Sequence, residues 1–489
     1  MNEIHLNKIA IPSAAVATHQ LAWEVVSALM GGTATMRAAG QRFLPVEPSE
    51  EPIEWEARLA RTTLDPYYKD GVTNTVSKVF AKELQFSNVP VALKLHLEDI
   101  DQQQRNSTQF AAEVFAEAVN YGVSYLLVDY PNPDEPFANR AQELAAGFRP
   151  YWARISPLNL LDVRSASFNG AERLSLFRYS EQIPELALDG VSEVLTTQIR
   201  EYKQERLENG EAGAVTFTVY RKVNTNWTVY STGELSLDAV PIACVYTNRT
   251  GFYLGRPPLM DLAELNIEHW RKRSDLNNII HICNVPFMLA TGFGGGMDPE
   301  TGMPAKEIKI SVRKLIQTKN DSADIKWIEH AGSTINTALD DLARLEARME
   351  RLSSSLVTGR SGTPTATATA INAAEANADL KQMALALQDA INTALFFTAG
   401  YLGLPSYGKC EVNTSFSVDF VSDTTFAQVL ELFALGLIDR EVVIAESKRR
   451  NILDLNVKIA AEPAKVPASS LDTQPAIKDE EETEEVEAN

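Results

Sequence analysis

One stretch limits the possible folds more than any other. Between residues 257 and 402, two long helical patterns flank a strand-like excursion, and a third follows a run rich in Ser, Thr and Gly. The middle pattern is the most regular: Ile335, Ala338, Leu342, Leu345, Met349, Leu352 and Leu356 recur at alternating steps of three and four. That spacing keeps apolar side chains on one helix face. It predicts a helix over 333–357, roughly 37 Å long at about 1.5 Å per residue, whose single apolar stripe needs a partner. The other faces carry Asp340, Asp341, Arg344, Glu346, Arg348, Glu350 and Arg351, so both charge signs cover a solvated or subunit-contacting surface.

The preceding helix opens at Pro257-Pro258, because a first turn tolerates missing N–H groups. It continues through Leu259, Leu262, Asn266, Trp270, Arg273, Leu276 and Ile280, a stripe interrupted by polar residues. Asn284 and Pro286 end it, since proline disfavours helical geometry in the residue before it. From Phe287 to Trp327 the chain is rich in Gly, Lys and β-branched residues; Gly294-Gly295-Gly296 makes a tip, and Glu307 to Val312 alternates with period two. A small β or α/β insertion is expected there. Ser353 to Pro364 is too polar and too free in φ/ψ to hold regular structure alone, and reads as a loop between two rods. The third helix is Ala-rich from Ala366 to Ala378 and then carries Leu380, Met383, Leu387, Ile391 and Leu395. If continuous to Thr398 it reaches roughly 50 Å.

The 489 residues allow about three domains, each with its own core. Cys244, Cys283 and Cys410 lie far apart and outside any CxxC or His pairing, so neither a disulfide framework nor a zinc site is indicated. Glu3, His5 and Lys8 interrupt the apolar residues of the N-terminus, which argues against a secretory leader. No segment approaches the roughly 20 apolar residues of a membrane span. Net charge is −20, which opposes a broad grip on nucleic acid. From Leu471 onward eight acids face Lys478, giving −7 and leaving −13 for the body; that tail reads as a solvated end.

Elsewhere helix and strand mix. Asn106 to Tyr121 has helical spacing closed by Gly122, and Val123 to Tyr130 reads as a buried strand. Tyr151 to Val163 and Val215 to Tyr230 have strand character, the second with a turn at Asn224-Thr225-Asn226; Gln198 to Arg206 fits either a strand or a short helix. Toward the C-terminus, Val412 to Phe420 alternates like a strand, and two short helices follow, one from Asp423 to about Leu435 and one from Asp439 to about Arg450.

Few motifs point to chemistry. Gly403 to Cys410 nearly matches the phosphate-cradling G-x-x-x-x-G-K-[ST], but it follows a helix, leads into a strand and ends in Cys, so an ordinary turn is the better reading. Glu98, Asp99 and Asp101 suit the solvated flank of a helix N-terminus better than a metal site. Trp270 and His281 suit packing or an interface, and no HExxH or Ser/His/Asp arrangement is apparent. No catalytic residue, metal ligand or cofactor site is therefore assigned.

The order of parts resembles the portal proteins of tailed bacteriophages, an α+β multidomain fold. Gly122 to Pro133 (GVSYLLVDYPNP), Arg149 to Arg164 (RPYWARISPLNLLDVR) and Arg256 to Leu276 (RPPLMDLAELNIEHWRKRSDL) look like a prophage-encoded branch of it, and the similarity spans about residues 60 to 460. The resemblance implies an α/β wing (1–256), a first stem helix (257–285), a clip (286–332), a second stem helix (333–357) and a tunnel loop (353–365). A long kinked helix (366–402), the remainder of the wing with a helical crown (403–460) and the acidic tail (461–489) complete it.

Portal proteins form a ring of about twelve subunits at one capsid vertex of the virion, through which genome DNA is packaged and later ejected. For this chain the family implies stem packing by Ile335, Leu342, Leu345, Met349 and Leu352. It implies a tunnel loop of Ser353, Ser354, Ser355, Thr358, Gly359, Arg360, Ser361, Gly362, Thr363 and Pro364 beside double-stranded DNA that slides without sequence specificity. Lys306, Lys309, Arg313, Lys314 and Lys319 would dock the terminase large subunit and then a head-completion or tail adaptor. The wing would meet major capsid and scaffolding proteins. No membrane, cofactor or catalytic step is implied, and synthesis would be in the bacterial host. A nucleotide hydrolase using the Gly403 to Lys409 loop, and a pore-less head scaffold or adaptor, are the competing readings.

Overall fold

The computed structural model describes residues 8–131, 140–187, 190–283, 287–291, 324–328, 333–358, 366–414, 416 and 424–449. Contacts divide the chain into two units, 1–416 and 417–489.

The larger unit opens with four helices, α1 (Ala14–Met30), α2 (Gly32–Ala39), α3 (Pro52–Arg61) and α4 (Tyr67–Val79). Strand β1 (Gln85–Ser87) and helix α5 (Val91–Glu98) lead to α6 (Ser107–Tyr121) and β2 (Val123–Asp129), the helix and strand expected from the sequence. Asn106 starts α6 by accepting the Gln109 N–H at 2.8 Å. Gly122 ends it in the left-handed region, at φ 87°. A side chain is excluded there for a second reason, since a Cβ would stand 2.1 Å from the Arg256 carbonyl oxygen. Every residue of β2 is buried. Successive strand residues face opposite sides, so both faces of this strand are covered.

After the short helix α7 (Arg140–Ala145), β3 (Tyr151–Ile155) pairs antiparallel with β2, and β9 (Ile242–Tyr246) pairs on the other side, giving the order β3-β2-β9. Between them run β4 (Leu160–Phe168), β5 (Ala171–Leu186), β6 (Glu193–Arg206), β7 (Ala212–Val223) and β8 (Asn226–Glu234), a five-stranded antiparallel meander in sequence order. Gln198 to Arg206 is thus strand rather than helix. Val223 pairs with Asn226, which leaves Asn224-Thr225 as a two-residue hairpin loop at the expected place, with Asn224 at φ 55°. Two short strands, β10 (Arg249–Gly251) and β11 (Leu254–Gly255), close the sheet region.

Next come α8 (Met260–Cys283), β12 (Phe287–Thr291), β13 (Asp324–Ile328), α9 (Ser333–Thr358), α10 (Ala366–Leu402) and β14 (Lys409–Glu411). Helix α10 packs on β9 and β2, while α8, α9 and α4 pack on one another. The strand expected over 412–420 sits earlier and is shorter. β14 pairs with β1, which has only three residues, and a ladder cannot outrun its partner. Residues 412–414 and Phe416 are not strand, and 415 and 417–420 lie outside the described residues.

The second unit contains α11 (Thr424–Ala434) and α12 (Arg440–Arg449), matching both expected C-terminal helices, with Gly436 at φ 71° after the first. The strand expected over 307–312 and the acidic tail lie outside the described residues. None of the described helices is long and apolar enough to cross a membrane.

Gly122→Ala tests the α6–β2 corner. Clash with the Arg256 carbonyl and a disfavoured φ act together, so the substitution should cost about 3 kcal/mol or more in chemical denaturation, or abolish soluble expression. A loss below about 1 kcal/mol would show that the corner relaxes freely.

Candidate functional site

The region with the strongest sequence signal is the α8–α9 pair, the two strands between them, and α10. Leu342, Leu345 and Met349 are buried on the inner face of α9, with Ile335, Ala338 and Leu352 half-buried. The elements packed on α9 within the same chain are α8, α4 and α10. Helix α4 was not visible as a partner in the sequence. Its Gly71 marks the junction: a Cβ there would meet Leu262 Cδ2 at 3.1 Å, Leu259 Cδ1 at 3.4 Å and the Ser353 Cα at 3.5 Å. A larger residue would push α4 away from α8 and α9 together.

The polar interruptions in α8 now have a role. Asn266 is buried, accepts the Tyr68 N–H at 3.0 Å and donates to the Asp65 carbonyl at 3.0 Å, which pins the entry to α4. Ser274 accepts from the Thr62 hydroxyl at 2.8 Å. Arg271 donates to the Phe43 carbonyl at 3.0 Å. Arg58 of α3 is buried against Glu50 at 2.7 Å, reaches Asp275 at 3.4 Å and donates to the Pro45 carbonyl at 2.8 Å. These bonds compensate the desolvation that buried polar groups would otherwise suffer. The Arg58 guanidinium beside Glu50 holds that carboxyl below its usual range, against the opposing effect of burial. Trp270 is fully buried and His281 exposed, so the first is a packing residue.

The charged faces of α9 remain accessible. Asp341 pairs with Lys272 at 2.8 Å, and Lys272 also reaches Glu268 at 2.8 Å, tying α9 to α8 at the surface. Arg348 and Arg351 line a cavity of about 450 Å³ with Asp261, Glu264, Leu265 and Leu352. That cavity is open and shallow in chemistry: opposite charges on two helices and no nucleophile–base pair.

Strands β12 and β13 pair antiparallel along their whole length, from Phe287↔Ile328 to Thr291↔Asp324. The insertion therefore leaves and returns through a closed two-stranded base. Lys306, Lys309, Arg313, Lys314 and Lys319 lie outside the described residues, as do Gly359 to Pro364. The start of the expected loop needs correction, because Ser353, Ser354, Ser355 and Thr358 belong to the last turns of α9. Extending an existing helix costs far less than nucleating one, so serines that would not start a helix are carried along by it. Ser353 donates to the Glu350 carbonyl at 3.0 Å, a bond inside that last stretch.

Two acidic or phosphate-like motifs resolve into structure. Glu98 ends α5, and Asp101 is buried instead of flanking a helix in solvent: it accepts the Gln103 N–H at 2.9 Å and pairs with Arg105. Burial opposes its charge, but those N–H groups and the guanidinium outweigh it and hold the carboxyl below its usual range. Asp99 pairs with Arg149 at 2.7 Å. The Gly403–Cys410 run is the turn from α10 into β14, with Lys409 bound to Glu411 at 2.9 Å and Cys410 buried, its thiol pushed up to about 12 by desolvation.

Residues 258–402, the helices and their insertion, match the model of a domain of unknown function, DUF4055. No curated protein matches the chain. Among solved structures, the chain is similar to one from the neck of a native GTA (gene transfer agent) particle computed with C12 symmetry, at 13% identity and a TM-score of 0.38, covering 86% of this chain and 98% of that one. A second, from the neck of an empty GTA particle computed with C6 symmetry, gives 13% identity and a TM-score of 0.39, covering 80% and 90%.

Glu50 offers a pH test. Its folded pKa is depressed, so its stabilising contribution is complete above its ordinary value of 4.5 and is lost as pH falls through the folded value. Glu50→Gln should lower the thermal midpoint near neutral pH and flatten the decline on acidification below 4.5. Coincident midpoint–pH curves for the two proteins would show that the Arg58 pair contributes nothing to folding.

Proposed function

We propose that this chain is a portal-type subunit, one copy of a ring through which DNA passes into and out of a phage capsid. The observation that carries the reading is the path from α8 to α10. Packed helices are ordinarily joined by about 2–8 residues, whereas here residues 284–332 separate α8 from α9, and the described part of them is the paired β12–β13 ladder. An insertion of that length serves a docking task better than it serves the stability of the helices. A 37-residue helix follows, about 55 Å long at 1.5 Å per residue.

Large apolar side chains remain exposed on all three helices: Ile279 on α8, Leu339 on α9, and Leu385 and Phe396 on α10, the last 54% exposed. A second copy of the chain would cover them. The acidic balance also fits a channel, because tight phosphate binding would stall a sliding duplex. In this reading the apolar stripe of α9 holds the stem together and its charged faces line the channel or join subunits. Residues 359–364 face the DNA, the cations from Lys306 to Lys319 engage the terminase large subunit and then the tail adaptor, and the sheets meet capsid and scaffold. The chemistry of packaging belongs to the separate motor protein.

Negative-stain imaging of the purified chain should show rings of about twelve subunits with an axial hole. A monomer or small oligomer under assembly conditions would instead favour a pore-less adaptor and overturn the proposal. Because α9 extends to Thr358, excision of Gly359 to Pro364 isolates the loop from the helix. That variant should assemble normally yet package or retain less DNA; a full-length packaged genome would remove the loop from the mechanism.

A further inference from the structure

We propose that Asp65, His269 and Glu346 bind one divalent transition-metal ion, clamping α8 and α9 to the segment that enters α4. This is the one group of three such side chains among the described residues whose ligand atoms all lie within 4.8 Å of one another. His269 Nε2 stands 3.1 Å from Glu346 Oε1 and 3.6 Å from Asp65 Oδ2. Zinc held at about 2.0–2.1 Å in a tetrahedron places its ligand atoms about 3.3–3.4 Å apart. The two observed separations bracket that edge, and the third pair, Asp65 with Glu346, closes to it from within 4.8 Å.

The site is built on rigid elements. His269 is 0% exposed, projecting from the middle of α8, and the Tyr67 ring meets the imidazole edgewise at 5.8 Å. Asn266, one turn earlier on α8, holds the Asp65 carbonyl and the Tyr68 N–H, so the Asp65 carboxylate is presented from a fixed backbone. The Asp65 and Glu346 side chains are 39% and 31% exposed, which leaves an entry from solvent and room for water as the fourth ligand. His269 Nδ1 has no hydrogen-bond partner among the described residues. In the metal-free protein Nε2 shares its proton with Glu346 Oε1 at 3.1 Å, and a metal at Nε2 replaces that proton, the neutral ring then carrying its N–H at Nδ1.

Two carboxylates facing one imidazole carry excess negative charge that a dication neutralises. One nitrogen and two carboxylate oxygens select zinc or a neighbouring first-row ion over magnesium and calcium, which favour all-oxygen shells. The inference is independent of the ring proposal: it concerns a single chain.

The test uses the full chain stripped with a chelator and dialysed, then titrated with zinc by calorimetry, with thermal midpoints in zinc and in EDTA. Wild type should bind one zinc per chain and gain in midpoint, and cobalt in its place should give the intense visible bands of a tetrahedral centre. Asp65→Asn and Glu346→Gln, close in size and partly exposed, should keep the wild-type midpoint in EDTA while weakening zinc by at least about tenfold. Absence of stoichiometric zinc, or unchanged affinity in both variants, would assign any binding to other histidines and overturn the proposal.

Discussion

The helical half of this protein hangs from a backbone contact between glycines. Gly122 accepts the N–H groups of Thr247 and Asn248, both at 3.1 Å, and Arg256 donates to the Asn248 carbonyl at 3.1 Å. A Cβ on Gly255 would stand 2.4 Å from the Gly122 oxygen, and one on Gly122 would strike Arg256. Trp23 seals the contact by donating to the Tyr121 and Gly255 carbonyls at 2.9 and 3.1 Å. Immediately afterward come Pro257-Pro258 and α8. The origin of α8, and through it of the insertion and α9, is therefore set by the end of α6 and by α1.

From that origin α8 serves two neighbours with two chemistries. Leu262, and Leu259 just ahead of the helix, meet α4 at Gly71, while Asn266, Ser274 and Asp275 tie the N-terminal helices by hydrogen bonds and an ion pair. Directional bonds specify register where apolar contact alone would permit sliding. The buried Arg58–Glu50 pair follows the same logic: removing one member of such a pair leaves an uncompensated charge, so the geometry is strongly enforced.

How much of this was legible varied with the kind of signal. The α6–β2 unit was readable because Asn106 and Gly122 bracket the helix and β2 is buried throughout. α9 was readable because its seam is regular, and the β7–β8 turn because Asn224 carries the required backbone preference. The N-terminal helices were not, since their buried faces include Arg58, Thr62, Gly71 and Thr75 alongside apolar residues, which breaks the period. Asp101 looked solvated because sequence cannot show Arg105 and two backbone N–H groups folding around it. The Asp65–His269–Glu346 group was invisible for a related reason. Its members sit on two helices and the segment entering a third, with no common spacing, and only the packing of α4, α8 and α9 brings them together.

The β12–β13 base has an evolutionary consequence. A ladder paired from Phe287↔Ile328 to Thr291↔Asp324 fixes its two open ends about 4.5–5.5 Å apart, whatever sequence occupies 292–323. Substitutions in 292–323 therefore leave the constraint on the helices unchanged, because those helices are held by packing on one another and on α4.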